Sequence, residues 1–243
     1  MAFIKKLILI LTMAFVGLLA TITNLYAMDV TSPDTQLNEL KTLEMKVLVA
    51  AAEGNLEVIC KLVENGAGFE GRGEHDFTPL HLASKAGHKE VVRFLLNARA
   101  DVHSVNKSLN TPLHCASYRN RVSCIKELLA FGANLSAKNE AGDTPLHSAA
   151  WNNQSDAIAV LVEMGSKLED RNNEGDTPLH LASWNNSLSA IMMLMIKGAN
   201  LAAENNQGDR PIDLAEQKQH EQAVKSLLDD KSNYIINPII KSL

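Results

Sequence analysis

Thr78-Pro-Leu-His81, Thr111-Pro-Leu-His114, Thr144-Pro-Leu-His147 and Thr177-Pro-Leu-His180 stand 33 residues apart in one register. Arg210-Pro-Ile-Asp213 keeps the interval in a worn form. A fixed period of this length means one supersecondary unit stacked on copies of itself, its core buried between neighbours. Such a stack leaves a long open surface. Binding is therefore expected before chemistry.

The unit 140–172 shows how the phrase works. Gly142 sits at the tip of a turn. Thr144 is placed to cap a helix, and Pro145 fits the first helical position, where no amide donor is needed. Leu146, Ser148, Ala149 and Ala150 continue a short helix that Asn152-Asn153 breaks. Ile158, Leu161 and Val162 recur at helical spacing in a second helix, which Gly165 closes in a left-handed cap. Neither helix is long enough to be stable alone. The next copy must cover its apolar face.

Thr78–Ala83, Gly87-His88, Thr177–Ala182 and Gly198-Ala199-Asn200, set at 33 residues, resemble the ankyrin repeat family. The resemblance covers about residues 42–230. It implies an all-α solenoid of stacked helix-turn-helix units with β-hairpin-like tips to one side. In register, an N-terminal cap spans 40–73, repeats span 74–106, 107–139, 140–172 and 173–205, and a C-terminal cap spans 206–230. Residues 28–39 read as a linker and 231–243 as a tail. Arg99 stands where Gly66, Gly132, Gly165 and Gly198 stand elsewhere, and Asp76 and Leu109 replace the tip glycines. The first two hairpins are therefore expected to be irregular or more mobile. In the family the recurring histidine hydrogen-bonds within and between repeats, so His81, His114, His147 and His180 read as structural.

Residues 1–27 hold no acidic residue; Lys5 and Lys6 precede the apolar run Leu7–Ala20, and Leu25-Tyr26-Ala27 follows. This order is that of a secretory signal peptide cut after Ala27, and the run is short for a spanning helix. A periplasmic or secreted chain is expected, with an inner-membrane anchor as the alternative. Cleavage would take the formal charge from −5 to −7. An acidic chain without a basic cluster is repelled by phosphate backbones, which argues against nucleic acid. No other stretch is apolar and long enough to insert in a bilayer. Cys60, Cys115 and Cys124 lack the spacing of a zinc or redox site. Cys115 and Cys124 should face the core as thiols, a bridge between them being the alternative; Cys60 should be more exposed. Neither a metal nor a cofactor is expected. With no Gly-rich phosphate loop, no His-Glu-x-x-His and no Gly-x-Ser-x-Gly, the chain reads as a non-enzyme.

Columns of the repeat supply the candidate surface. Lys85, Tyr118, Trp151, Trp184 and Gln217 follow the first helices, and Ala86, Arg119, Asn152, Asn185 and Lys218 come next. Phe77, Asn110, Asp143, Asp176 and Asp209 precede the phrase. Aromatic residues are enriched at interface hot spots, whereas an acidic residue beside a helix start is also favoured locally. The expected site is Phe77, Lys85, Tyr118, Arg119, Trp151, Trp184, Asp143, Asp176 and Asp209. It would dock a protein or peptide with apolar and basic groups, the chain itself being a monomer. A membrane-tethered adaptor and a secreted effector that binds a host protein are the other readings. The tail, with Tyr234, Ile235, Ile236, Ile239 and Ile240, is expected to pack over the last unit or stay unstructured, a partner-binding peptide being the alternative.

Overall fold

The computed structural model describes residues 33–228. The leader at 1–27 and the tail at 231–243 lie outside the described residues, and so does their expected behaviour.

Helices come in antiparallel pairs. They are α1 (Pro33–Glu53) with α2 (Leu56–Glu64), α3 (Pro79–Ala86) with α4 (Lys89–Asn97), and α5 (Pro112–Tyr118) with α6 (Val122–Ala130). Then follow α7 (Pro145–Trp151) with α8 (Ser155–Glu163), α9 (Pro178–Trp184) with α10 (Leu188–Lys197), and α11 (Pro211–Gln217) with α12 (Glu221–Leu228). First helices pack on first helices and second on second along the chain, which makes an all-α solenoid. The linker expected at 28–39 is corrected: α1 begins inside it, at Pro33. Proline at a helix start is favourable, and Met45–Leu48 carries no Thr-Pro to begin a new helix there.

Each phrase starts its helix by the same device. The threonine at the cap is extended, proline takes the first turn, and the histidine three positions along closes a capping box. The worn fifth copy does this with charge. Asp213 accepts from the Arg210 amide at 2.8 Å and pairs bidentately with the Arg210 guanidinium at 2.8 and 2.9 Å. Those bonds pull the Asp213 carboxyl down to about 2.

The core is a set of columns. Ala83, Ala116, Ala149, Ala182 and Ala215 are fully buried where first helices touch. Leu95, Leu128, Leu161 and Leu194 are 0% exposed, whereas Leu62 and Leu227, in the same column at the two ends, keep 9% and 7%. That gradient is the stacking logic made visible: a leucine is sealed only with a neighbour on both sides. Cys115 and Cys124 are buried free thiols and Cys60 is half-buried. Burial pushes Cys115 up to about 12 and Cys124 to about 11, so both stay protonated and unreactive.

Turns between units are held from the next copy. The carbonyl ending each first helix accepts a side chain one repeat on: Ala52 from His88, Lys85 from Arg121, Tyr118 from Asn152, Trp151 from Asn185 and Ser187, Trp184 from His220. Helix starts are served likewise. Asn120 Oδ1 accepts from the Ala157 amide at 2.8 Å, and Asn153 Oδ1 from the Ala190 amide at 2.9 Å.

Among the described residues no strand forms, and each tip is a tight turn. Backbone bonds close it, among them that from the Asn139 amide to the Asp143 carbonyl at 3.0 Å. Tips are then laddered, Glu140 N to Ser108 O and Asn173 N to Ala141 O, both 3.0 Å. The expected irregularity holds for the first tip, where His75 and Asp76 both have positive φ in the turn Glu74–Asp76. It fails for the second. Leu109 takes φ 58° and its amide reaches the Asn106 carbonyl at 2.9 Å, as Gly142 does to Asn139. The reason is a side-chain clamp, Asn106 Oδ1 accepting from the Ser108 and Asn110 amides.

Arg99 adopts φ 69°, in the left-handed region its glycine counterparts occupy. A Cβ at Gly132, Gly165 or Gly198 would meet nothing within 4 Å, so backbone conformation alone selects glycine there. Arg99→Gly is therefore expected to stabilise the protein by up to about 1 kcal/mol, offset in part by a freer unfolded chain. A lowered urea midpoint for this variant would show that Arg99 is not strained.

Candidate functional site

The Thr-Pro-Leu-His histidines come first, because they set the positions of everything around the groove. His81, His114, His147 and His180 are at most 1% exposed. Each Nδ1 lies 2.8 Å from its own threonine hydroxyl and 3.1–3.3 Å from that threonine's amide. Each Nε2 faces the carbonyl of the next tip: Asn110, Asp143, Asp176 and Asp209, at 2.9–3.0 Å. A carbonyl only accepts, so Nε2 carries the proton; the amide only donates, so Nδ1 is bare. The ring is thereby held neutral, and burial drives His81 and His114 down to about 4 and lowers His147 and His180 as well. These rings are staples between repeats.

A second periodic staple runs along the tips. Asn139, Asn172 and Asn205 each clamp their own turn through Oδ1. Through Nδ2 they donate to the preceding tip: to Asn110 Oδ1 at 3.0 Å, Asp143 Oδ1 at 2.8 Å and Asp176 Oδ1 at 2.8 Å. The sequence expectation did not name this column, although an asparagine every 33 residues from Asn106 to Asn205 was there to be read. A third column, also not foreseen, sends Arg72, Lys138 and Arg171 to the carbonyls of Val105, Arg171 and Glu204 one repeat on, at 2.7, 2.7 and 2.5 Å.

These staples leave a continuous open groove of about 650 Å³. Tyr118, Trp151, Trp184 and Gln217 line it from the ends of the first helices, and Asn110, Asp143, Asp176 and Asp209 from the tips. Ser148, Leu181 and Leu214 also line it, with Ala141, Glu174 and Gln207 at the tip ends. Six of the nine expected residues thus share one groove. Phe77, Lys85 and Arg119 are not in its lining. The Phe77 ring meets His81 edge-on with centroids 5.7 Å apart, and Lys85 lies over it at 5.3 Å. Arg119 stacks on Tyr118 at 5.6 Å.

The rings differ in cover. Trp151 is 36% exposed and Tyr118 38%, while Trp184 is half-buried beneath Lys218, whose Nζ is 3.6 Å from the ring centroid. The carboxylates are half-buried and each is partly used: besides the two asparagine bonds above, Asp209 Oδ1 accepts from Gln217 at 3.0 Å. Among the described residues no group of three His, Cys, Asp or Glu is placed to hold a metal ion.

Together these features define a helical-repeat scaffold whose open groove, rather than an enclosed pocket, faces solvent. The chain belongs to the ankyrin repeat family: the family model for three ankyrin-repeat copies matches residues 99–172 and again 165–238, and the single-repeat model matches 75–107. Among curated proteins it is similar to protein phosphatase 1 regulatory subunit 27 of Homo sapiens and of Mus musculus, 39% identical over 57 residues in each case. That stretch is 24% of this chain and 37% of each relative, so the chain spans little more than a third of the relatives' length. Ankyrin repeats mark a protein–protein interaction module.

Proposed function

We propose that this chain is an exported, non-enzymatic docking protein that works as a monomer and holds a protein or peptide partner in the groove lined by Tyr118, Trp151, Trp184, Asp143, Asp176 and Asp209. One observation carries the reading. The positions that repeat unchanged, threonine, histidine and asparagine, are used up in holding the stack. Beside the stapling Asn139, Asn172 and Asn205, the groove is lined by positions that change from copy to copy, such as Tyr118, Trp151, Trp184 and Gln217, or Ala141, Glu174 and Gln207. A surface free to vary on a fixed scaffold suits recognition, and half-exposed tryptophans suit a hot spot. The phosphatase regulatory subunits support a role exerted through protein contact.

Export rests on Lys5, Lys6, the run Leu7–Ala20 and the Leu25–Ala27 cut site. Among the described residues no helix is long and apolar enough to cross a membrane. N-terminal sequencing of the protein from its native source is expected to start at Met28. A blocked or intact Met1 favours the anchored adaptor instead.

Docking is tested by capturing partners on the full chain and footprinting the complex. Bound partner should shield Trp151 and the Asp176 carboxylate from chemical labelling and leave Met164, 52% exposed on a second-helix end, as reactive as before. Protection at Met164 without protection in the groove would move the site away from the groove.

A further inference from the structure

We propose that the partner supplies a cationic side chain, arginine in preference to lysine, that stacks on the Trp151 ring. The proposal rests on the docking reading above and deepens it. Three aromatic rings along this face already carry a cation from the chain itself: Phe77 from Lys85, Tyr118 from Arg119 and Trp184 from Lys218. Among the described residues Trp151 carries none. The residues standing where Arg119 and Lys218 stand are Asn152 and Asn185. Both amides are engaged with backbone, Asn152 on the Tyr118 carbonyl and Asn185 on the Trp151 carbonyl, each at 2.7 Å.

The charged residues of the groove lining are of one sign. Asp143, Glu174, Asp176 and Asp209 line the groove, and no lysine, arginine or histidine does. The tip ladder does not need this charge. Asn110 fills the same place one repeat earlier and accepts the same bond from Asn139 at 3.0 Å. A neutral side chain is thus enough for the staple, and the negative charge at Asp143 and Asp176 exceeds it. Their Oδ1 atoms take the asparagine amides; among the described residues their Oδ2 atoms accept nothing. An indole face with spare carboxylate acceptors in the same groove is what a guanidinium uses, stacking its plane while donating from its edge.

The test follows the two indole N–H resonances of the full-length protein, assigned with Trp151→Phe and Trp184→Phe. The probe is a capped pentapeptide, one arginine flanked by leucines and then alanines. Its control carries citrulline, planar and neutral, in place of arginine. Expected is a saturable shift of the Trp151 resonance that exceeds the Trp184 shift, with citrulline binding about five- to thirtyfold weaker. Asp143→Asn with Asp176→Asn should weaken the arginine probe similarly while leaving the thermal midpoint nearly unchanged. Equal binding of the two peptides would overturn the cation and leave docking intact. So would a Trp151 ring shielded from acrylamide in the free protein, because the chain itself would then cover it. No shift of Trp151 at millimolar peptide also overturns it, whereas the docking reading is decided separately by the footprint.

Discussion

Between pH 6.5 and pH 5 the protein is expected to lose about 3 kcal/mol of stability through His81 and His114 alone. The sign follows from the geometry. Both rings titrate near 4 in the folded state and near 6.5 in the unfolded chain. Below pH 6.5 the unfolded state therefore binds more protons, and stability falls with pH. The contribution is complete above 6.5 and gone once pH passes through 4. A proton on Nδ1 would set two donors against each other, the ring and the threonine amide at 3.1–3.3 Å. His147 and His180 have the same surroundings and lowered values, so they steepen the fall. Carboxylates titrate mostly below this window, so the stretch from 6.5 to 5 reports the histidines. Urea unfolding measured at half-unit steps gives the slope directly. His114→Gln, which cannot titrate, should be less stable at pH 7.5 and show a slope smaller by close to one proton. A flat profile from pH 7 to 5 would mean that these rings are not held neutral.

Replacing Trp151 and Trp184 together by alanine is expected to raise the dissociation constant of a captured partner at least about a hundredfold, since hot-spot aromatics cost about 2 kcal/mol or more each. Helical content and melting should change little. The hydrogen bonds made at these positions belong to the backbone: the Trp151 carbonyl accepts from Asn185 and Ser187, and the Trp184 carbonyl from His220. Alanine keeps them. Trp184→Ala is the costlier of the two for stability because that ring is half-buried and covered by Lys218. Calorimetric titration of the partner together with circular dichroism checks both halves. Unfolding of the double variant would place the rings in the core, and unchanged affinity in a folded variant would remove them from the interface.

The four Thr-Pro-Leu-His phrases and their spacing were enough to read the fold, because each step they encode is local. A threonine caps, a proline begins, a glycine ends, and the apolar residues recur at helical spacing. The aromatic and acidic columns were legible by counting the same period. Phe77, Lys85 and Arg119 were placed in the site by that count; they are not in the groove lining, Lys85 lying over Phe77 and Arg119 over Tyr118. Register says which residues share a column; it does not say which way a side chain turns or what lies over it.

What the sequence by itself determined is the architecture: units too short to fold alone must stack, and identical units stack identically. What only the tertiary structure decided is how the polar groups are shared. Asn139 reaching Asn110, Asn153 capping the helix at Ala190, and His147 reaching the Asp176 carbonyl join residues 29 to 37 positions apart. Such bonds depend on the rise and rotation between neighbouring units. Those are set by the packing of the buried alanine and leucine columns, and no single repeat contains them.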